Sequence, residues 1–250
     1  YPGMYVFRGC EAFIRTMPLM MYAETNPEDL DTALECVAAV REAVGKDVDL
    51  LIEGHGRFNV PTGIKIAKEL EQFKPMFFEE PTPPDNLEAL KAVRDKSPVA
   101  ISAGERLYTL KSYKDLFEMR AADYIQPDIS HAGGIMELKK IAAVAEAYYI
   151  PFAPHNPSGP VANAATLQLA ACCPNFSILE IMYSDVEYRR FITDENLTYE
   201  NGRIKIGDRP GLGIELNEEE CLRHPYVRHD LRHYTGALTD IRPPKTAFYF

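Results

Sequence analysis

The sequence predicts an α/β chain folded as a parallel (β/α) barrel, and three observations predict it. Short apolar, strand-like runs each end near a carboxylate: Glu53 closes VDLLIE, Glu79 closes PMFFE, and Glu105 follows PVAISAG. These glutamates are separated by 26 residues and again by 26, about what one strand, one helix and two loops consume. The runs alternate with segments of helical periodicity, the signature of βα units and a parallel sheet. A length of 250 residues, 46% hydrophobic and 26% charged, suits one barrel domain with a sizeable core.

Taken in order, residues 28–44 (EDLDTALECVAAVREAV) read as an amphipathic helix ending at Gly45, followed by the strand to Glu53. Residues 61–73 form a helix that Pro61 opens, since proline is tolerated at the first helical position. The strand 76–79 follows, then the turn PTPPDN, where Asn86 or Asp85 caps a helix running through Arg94. VAIS (99–102), a helix near 111–119 and DYIQP (123–127) continue the alternation. His131-Ala-Gly-Gly precedes a strong helix at 135–148, and YIPFAP (149–154) reads as a strand. Gly159-Pro160 leads into the apolar helix 161–172, and FSILE (176–180) is the last clear strand. From Asp185 onward the pattern loosens into turns and a polar tail.

Six strands are counted from VDLLIE to FSILE, and EAFIR at 11–15 offers a seventh. A closed barrel needs eight. Either one strand lies before Tyr1 or the strand at 11–15 is wrong. The chain opens without Met, which predicts an upstream portion. The expected organisation is a barrel over 1–216, incomplete at its N-terminus, and a tail over 217–250 packing on it or on a cap.

A net charge of −10 argues against nucleic acid and anionic membranes as partners, but not against an anionic small substrate beside a bound metal. The five cysteines (Cys10, Cys36, Cys172, Cys173, Cys221) are odd in number and lack zinc-type spacing. Cys172 and Cys173 lie in an apolar helical stretch and read as buried reduced thiols. No signal peptide and no bilayer-length apolar run is present, so a cytoplasmic location is expected.

Parallel strands from successive βα units bring their C-terminal ends to one rim. Glu53, Glu79 and Glu105 would converge there, and three converging carboxylates need a cation. Oxygen-only ligation suits Mg²⁺ or Mn²⁺ better than Zn²⁺. A single Glu after a strand is more often a helix cap or a solvated rim residue, but equal spacing of three disfavours that reading. Gly-His-Gly around His55 gives tight backbone approach, which favours a site over a mere turn. A lone His155 after proline reads as a core histidine, whereas Asp128 one unit earlier makes it half of a dyad. Competing histidine His131 reads as a supporting or loop residue. Arg57 and Arg106 have two readings, substrate contact or pairing with the excess carboxylates. Asn156 likewise either touches substrate hydroxyls or shapes its loop.

Six collinear motifs carry a resemblance. They are IEGHGRFNVPT (52–62), FFEEPTPPDN (77–86), AGERLYT (103–109), IQPDISHAGGIME (125–137), APHNPSGPVANAATLQLA (153–170) and RPGLGIEL (209–216). The chain resembles the enolase superfamily, in its mandelate-racemase-like branch, and most closely galactonate-dehydratase-type acid-sugar dehydratases. The resemblance implies a TIM-like (β/α) barrel whose partner, an N-terminal α+β capping domain, is missing here along with the first strand. It implies Mg²⁺ ligands at Glu53, Glu79 and Glu105, with Glu80 as a neighbour of the second. It implies an Asp128–His155 dyad, a second histidine at His55, and Glu180 at the end of the eighth strand.

The implied reaction removes the proton α to a sugar-acid carboxylate, giving a metal-stabilised enediolate, and expels the β-hydroxyl to leave a 2-keto-3-deoxy acid. His55 is then the α-proton base and His155 the general acid, or the two roles are exchanged. Asp128 would fix the tautomer of His155 and raise its basicity. A homo-oligomer is also implied.

The chain departs from the family pattern at Glu53, where Asp is usual, and at Arg15, where Lys is usual. Arginine cannot be deprotonated to act as a base, but it can hold a substrate carboxylate. The runner-up readings are a 2-hydroxy-acid racemase or cycloisomerase, which favours a lysine base, and a catalytically impaired truncated homologue.

Overall fold

Alternation within each strand decides which side chains face the helices and which face the axis. In the computed structural model, which describes residues 27–181, 187–194, 199–200 and 203–226, four parallel strands pair in chain order. They are β1 (Leu51–Glu53), β2 (Phe77–Glu79), β3 (Ile101–Ala103) and β4 (Tyr124–Ile125). Ile52, Phe78, Ile101 and Ile125 point outward into the main core, where Phe152 joins them. Leu51, Phe77, Ala100, Tyr124, Ala153 and Ile178 form a separate inner cluster. Within it the rings of Phe77 and Tyr124 lie 5.3 Å apart.

The outward residues meet helices α1 (Pro27–Val44), α2 (Val60–Leu70), α3 (Leu87–Arg94), α4 (Thr109–Met119), α5 (Gly134–Ala147) and α6 (Pro160–Ala171). Each helix buries a stripe at helical spacing: Ile66, Ala67 and Leu70 in α2, Tyr113, Leu116 and Phe117 in α4, and Leu138, Ile141, Ala142 and Ala145 in α5. Each fully buried Leu, Ile or Phe contributes roughly 1.5–3 kcal/mol. That stripe, more than intrinsic propensity, holds each helix on the sheet.

Local signals set the helix starts. Asn59 caps α2 by accepting from the Thr62 N–H at 2.9 Å, so the helix opens one residue before Pro61. Of the two caps expected for α3, Asn86 is used, accepting from the Ala89 N–H at 3.0 Å. Helix α4 begins at Thr109 rather than near 111, with its Leu110 N–H held by Glu137 at 2.9 Å.

The expected strands at 149–154 and 176–180 shrink to single parallel bridges, Ile125 with Phe152 and Phe152 with Phe176. Pro151 and Pro154 flank Phe152 and lack the N–H a ladder needs. The chain-order neighbours still hold, since Phe152 N–H donates to Asn175 O at 2.9 Å and Ser177 N–H to Phe152 O at 2.8 Å. Beyond α6 come a short hairpin of β5 (Tyr199–Glu200) and β6 (Arg203–Ile204) and the helix α7 (Glu218–Arg223). Of the adjacent thiols, both past the Ala171 end of α6, Cys173 is buried but Cys172 is exposed. The strand expected at 11–15, with its Arg15, lies outside the described residues, as does Cys10. Among the described residues no helix is long and apolar enough to cross a membrane.

Candidate active site

One inward layer above the apolar cluster, the same alternation places Glu53, Glu79, Ser102, Gln126, His155 and Glu180, each two residues beyond its apolar partner. The sheet register sets Glu53 directly beside Glu79. The third carboxylate arrives differently. Glu79 is paired with Ser102, three residues short of Glu105. Gly104, at φ 136°, turns the chain so that Glu105 folds back toward the other two. A side chain at Gly104 would sit 2.7 Å from the Tyr113 hydroxyl, which donates to the Gly104 carbonyl. Glycine is required there by both backbone and space.

As a result Glu53, Glu79 and Glu105 each offer an oxygen within 4.8 Å of the others. Burial, with the neighbouring charges of Glu79 and Glu105, pushes Glu53 well above the usual carboxylate range. Burial, then the charges of Glu180 and Glu105, pushes Glu79 up to about 8. Three oxygen donors crowded in this way fit a hard divalent cation, which would replace the protons that Glu53 and Glu79 otherwise retain.

The loop after β1 is shaped around this cluster. Gly54 N–H donates to Glu79 O at 2.8 Å, and a Cβ at Gly54 would lie 3.0 Å from the carbonyls of Glu79 and Glu80. His55 sits at φ 51° with an exposed side chain, and its N–H donates to the Glu53 carboxylate. Half-buried Arg57 closes the turn through its N–H to Gly54 O at 3.2 Å. Arg106 takes the pairing reading: its Nε donates to Glu80 at 2.6 Å and lies 3.5 Å from Glu105.

Across the cluster, Asp128 holds His155, Oδ2 to Nδ1 at 2.7 Å, while Ser130 N–H donates to Asp128 Oδ1 at 2.6 Å. Nε2 of the same imidazole lies 2.9 Å from Glu105. Burial alone would lower the His155 pKa, but the bonds to Asp128 and Glu105 outweigh it and raise it to about 10. For the same reason Asp128 and Glu105 fall below their ordinary values, despite partial burial.

Glu180 is half-exposed, 4.0 Å from His155 Nε2, and accepts from the Asn156 N–H at 3.2 Å. Asn156 is buried and donates to Asn163 at 2.8 Å, so its side chain shapes the loop. His131 stands closer than the sequence implied: its ring lies 6.1 Å from that of His155, and it joins Asp128 and His155 in a second group with donor atoms within 4.8 Å. Gln126, which the sequence reading passed over, hydrogen-bonds Glu79 from the same inward layer. Its position two residues past inward Tyr124 was the available signal.

Comparison with known proteins agrees with this fold. Residues 11–220 match the family model described as enolase C-terminal domain-like. The chain is 36% identical over 220 residues to D-galactonate dehydratase of Variovorax paradoxus, covering 82% of this chain and 57% of that protein. It is 38% identical over 192 residues to D-gluconate dehydratase of Thermoproteus tenax, covering 76% of this chain and 39% of that protein. The chain thus spans about half the length of the curated relatives it matches. The crystal structure of a mandelate racemase/muconate lactonizing enzyme-like protein from Rubrobacter xylanophilus superposes with TM-score 0.77 at 41% identity, covering 80% of this chain and 52% of that one. That of a mandelate racemase/muconate lactonizing enzyme from a Jannaschia species gives TM-score 0.77 at 36% identity, covering 82% and 52%. The layered barrel is thus the fold of a known group, and this chain belongs to the enolase C-terminal domain-like family.

Proposed function

We propose that this chain carries the catalytic barrel of a Mg²⁺-dependent sugar-acid dehydratase, which converts an aldonate to its 2-keto-3-deoxy acid. The observation that carries the reading is the Asp128–His155 dyad set against Glu105, one member of the three-carboxylate cluster. Relatives named D-galactonate, D-xylonate and D-gluconate dehydratase support the substrate class.

Glu53, Glu79 and Glu105 would hold the cation, whose role when bound is to stabilise negative charge developing on the substrate carboxylate. His55, exposed beside Glu53, takes the α-proton. His155, protonated and oriented through Nδ1 by Asp128, presents its Nε2 proton to the departing β-hydroxyl. Elimination then balances: the C–H pair becomes the new double bond, and the hydroxyl leaves as water with the proton of His155. The enol so formed gains a proton at C3 and loses that of its 2-hydroxyl to give the 2-keto-3-deoxy acid. Glu180, bonded to the Asn156 N–H, stands on the same side as His155 and favours its charged form.

The test is to incubate the protein with Mg²⁺ and a panel of aldonates and assay 2-keto-3-deoxy acid. Turnover of at least one aldonate is expected, and its loss with EDTA. Absence of keto acid from every aldonate, in protein that demonstrably binds Mg²⁺, overturns the dehydratase reading.

A further inference from the structure

The EE of FFEEP and the ER of AGERL place a second charged pair directly behind the carboxylate cluster. Glu80 follows Glu79, and Arg106 follows Glu105. Glu80 is only 2% exposed and sits at φ 37°, a conformation uncommon for a residue with a side chain. One oxygen of its carboxylate, Oε2, accepts from both Nε (2.6 Å) and Nη2 of Arg106. Such a two-pronged guanidinium contact fixes geometry as well as charge. The backbone of Glu80 is tied as well, its N–H donating to Ser102 O at 2.9 Å and its carbonyl accepting from Gly56 N–H at 2.6 Å. A Cβ at Gly56 would lie 2.5 Å from Arg106 Nη2, so the guanidinium is packed against the loop carrying His55. Arg106 Nε also reaches within 3.5 Å of Glu105.

One ion pair therefore touches the loops after β1, β2 and β3, which directly follow Glu53 and Glu79 and carry Glu105. We infer that Glu80 and Arg106 are positioning residues for cation binding: their pair locks the three carboxylates into one donor set and neither residue serves as a ligand. The inference rests on the cation site proposed above. It also explains why a carboxylate so deeply buried beside three others is tolerated: the guanidinium offsets it locally, leaving the charge of the three donors for the cation.

Charge alone and positioning predict opposite signs for one variant. Removing the positive Arg106 should strengthen Mn²⁺ binding if only long-range charge matters. Loss of positioning should weaken it. The experiment measures Mn²⁺ affinity by the electron paramagnetic resonance signal of free Mn²⁺, and thermal midpoints of the metal-free proteins, for wild type, Glu80→Gln, Arg106→Gln, Arg106→Lys and the double Gln variant. Wild type should bind, and both single Gln variants should bind about 10–100-fold more weakly, the range typical for lost support of a ligand. The double variant should be no weaker than the weaker single one. Arg106→Lys keeps the charge and removes the fork, so it should fold and still lose about tenfold. If the Gln variants do not fold, Arg106→Lys decides. Lowered midpoints with Mn²⁺ affinity unchanged, or tighter binding by Arg106→Gln, overturn the inference. No Mn²⁺ binding by wild type overturns the cation site itself, and the inference with it.

Discussion

Nε2 of His155 lies 2.9 Å from Oε2 of Glu105, while its Nδ1 lies 2.7 Å from Oδ2 of Asp128. One imidazole thus bridges the dyad and the carboxylate cluster. A protonated ring can donate to both carboxylates at once, whereas either neutral tautomer donates to only one. This double grip is the physical cause of the raised His155 pKa, near 10.

Asp128→Asn removes one of the two grips and leaves the ring in place. The His155 titration midpoint, followed by NMR in metal-free protein, should fall well below 10. Under the proposed function, keto-acid formation should drop about a hundredfold or more, the usual weight of a misplaced acid or base. An unshifted midpoint would mean that Asp128 does not set the state of the ring.

The carboxylate cluster makes the metal-free fold sensitive to alkali. Glu79 is raised from 4.5 to about 8, so between those values the folded chain holds a proton that the unfolded chain has released. Stability is then fully present below pH 4.5 and lost as pH rises through about 8. Glu53 adds to this in the same direction, and His155 extends the decline toward 10. A divalent cation binds the ionised donors and displaces their protons, so it should flatten the decline. Thermal unfolding at pH 5, 6.5 and 8, with EDTA and with Mg²⁺, checks this. The same pH dependence in both series would count against a cation held by these glutamates.

The rhythm of 26 residues was legible in the sequence and led to three carboxylates that do converge, but only half of it reflects sheet register. Glu53 and Glu79 are true register partners; Glu105 reaches them through the bend at Gly104. Strand order was also legible, because apolar runs between helices have few alternatives. Strand ends were not, since Pro151 and Pro154 deny the sheet its N–H groups exactly where apolar character suggests continuation. Arg106 stayed ambiguous in sequence because pairing with Glu80 depends on how two neighbouring loops pack, which no local pattern encodes. Cys172 shows the same limit: both thiols lie past the helix end, and an apolar stretch does not tell which of them faces solvent.

Gly54→Ala tests how tightly the first loop is seated. The added methyl would lie 3.0 Å from two backbone carbonyls and from the Phe78 ring, and neither carbonyl can rotate away. Overpacking of this kind costs about 1–3 kcal/mol. A lower unfolding midpoint is expected, together with weaker Mn²⁺ binding, because the carbonyls belong to Glu79 and Glu80. A variant as stable as wild type would show that the loop has room the structure denies.

Gln126→Leu separates stability from metal affinity. The Gln126 side chain donates to Glu79 and lowers its pKa, yet its Oε1 is buried without a protein partner. Leucine of similar size removes that unsatisfied acceptor, so the metal-free protein should be as stable as wild type or more so. Glu79 meanwhile loses the donor that orients its carboxylate and favours its ionised form. Mn²⁺ affinity should fall about tenfold or more, as for other lost supports of a ligand. The two readouts therefore move apart, which a general loosening of the barrel would not produce. Calorimetric unfolding without metal and a Mn²⁺ titration on the same protein measure both, and a joint decline would assign Gln126 to packing alone.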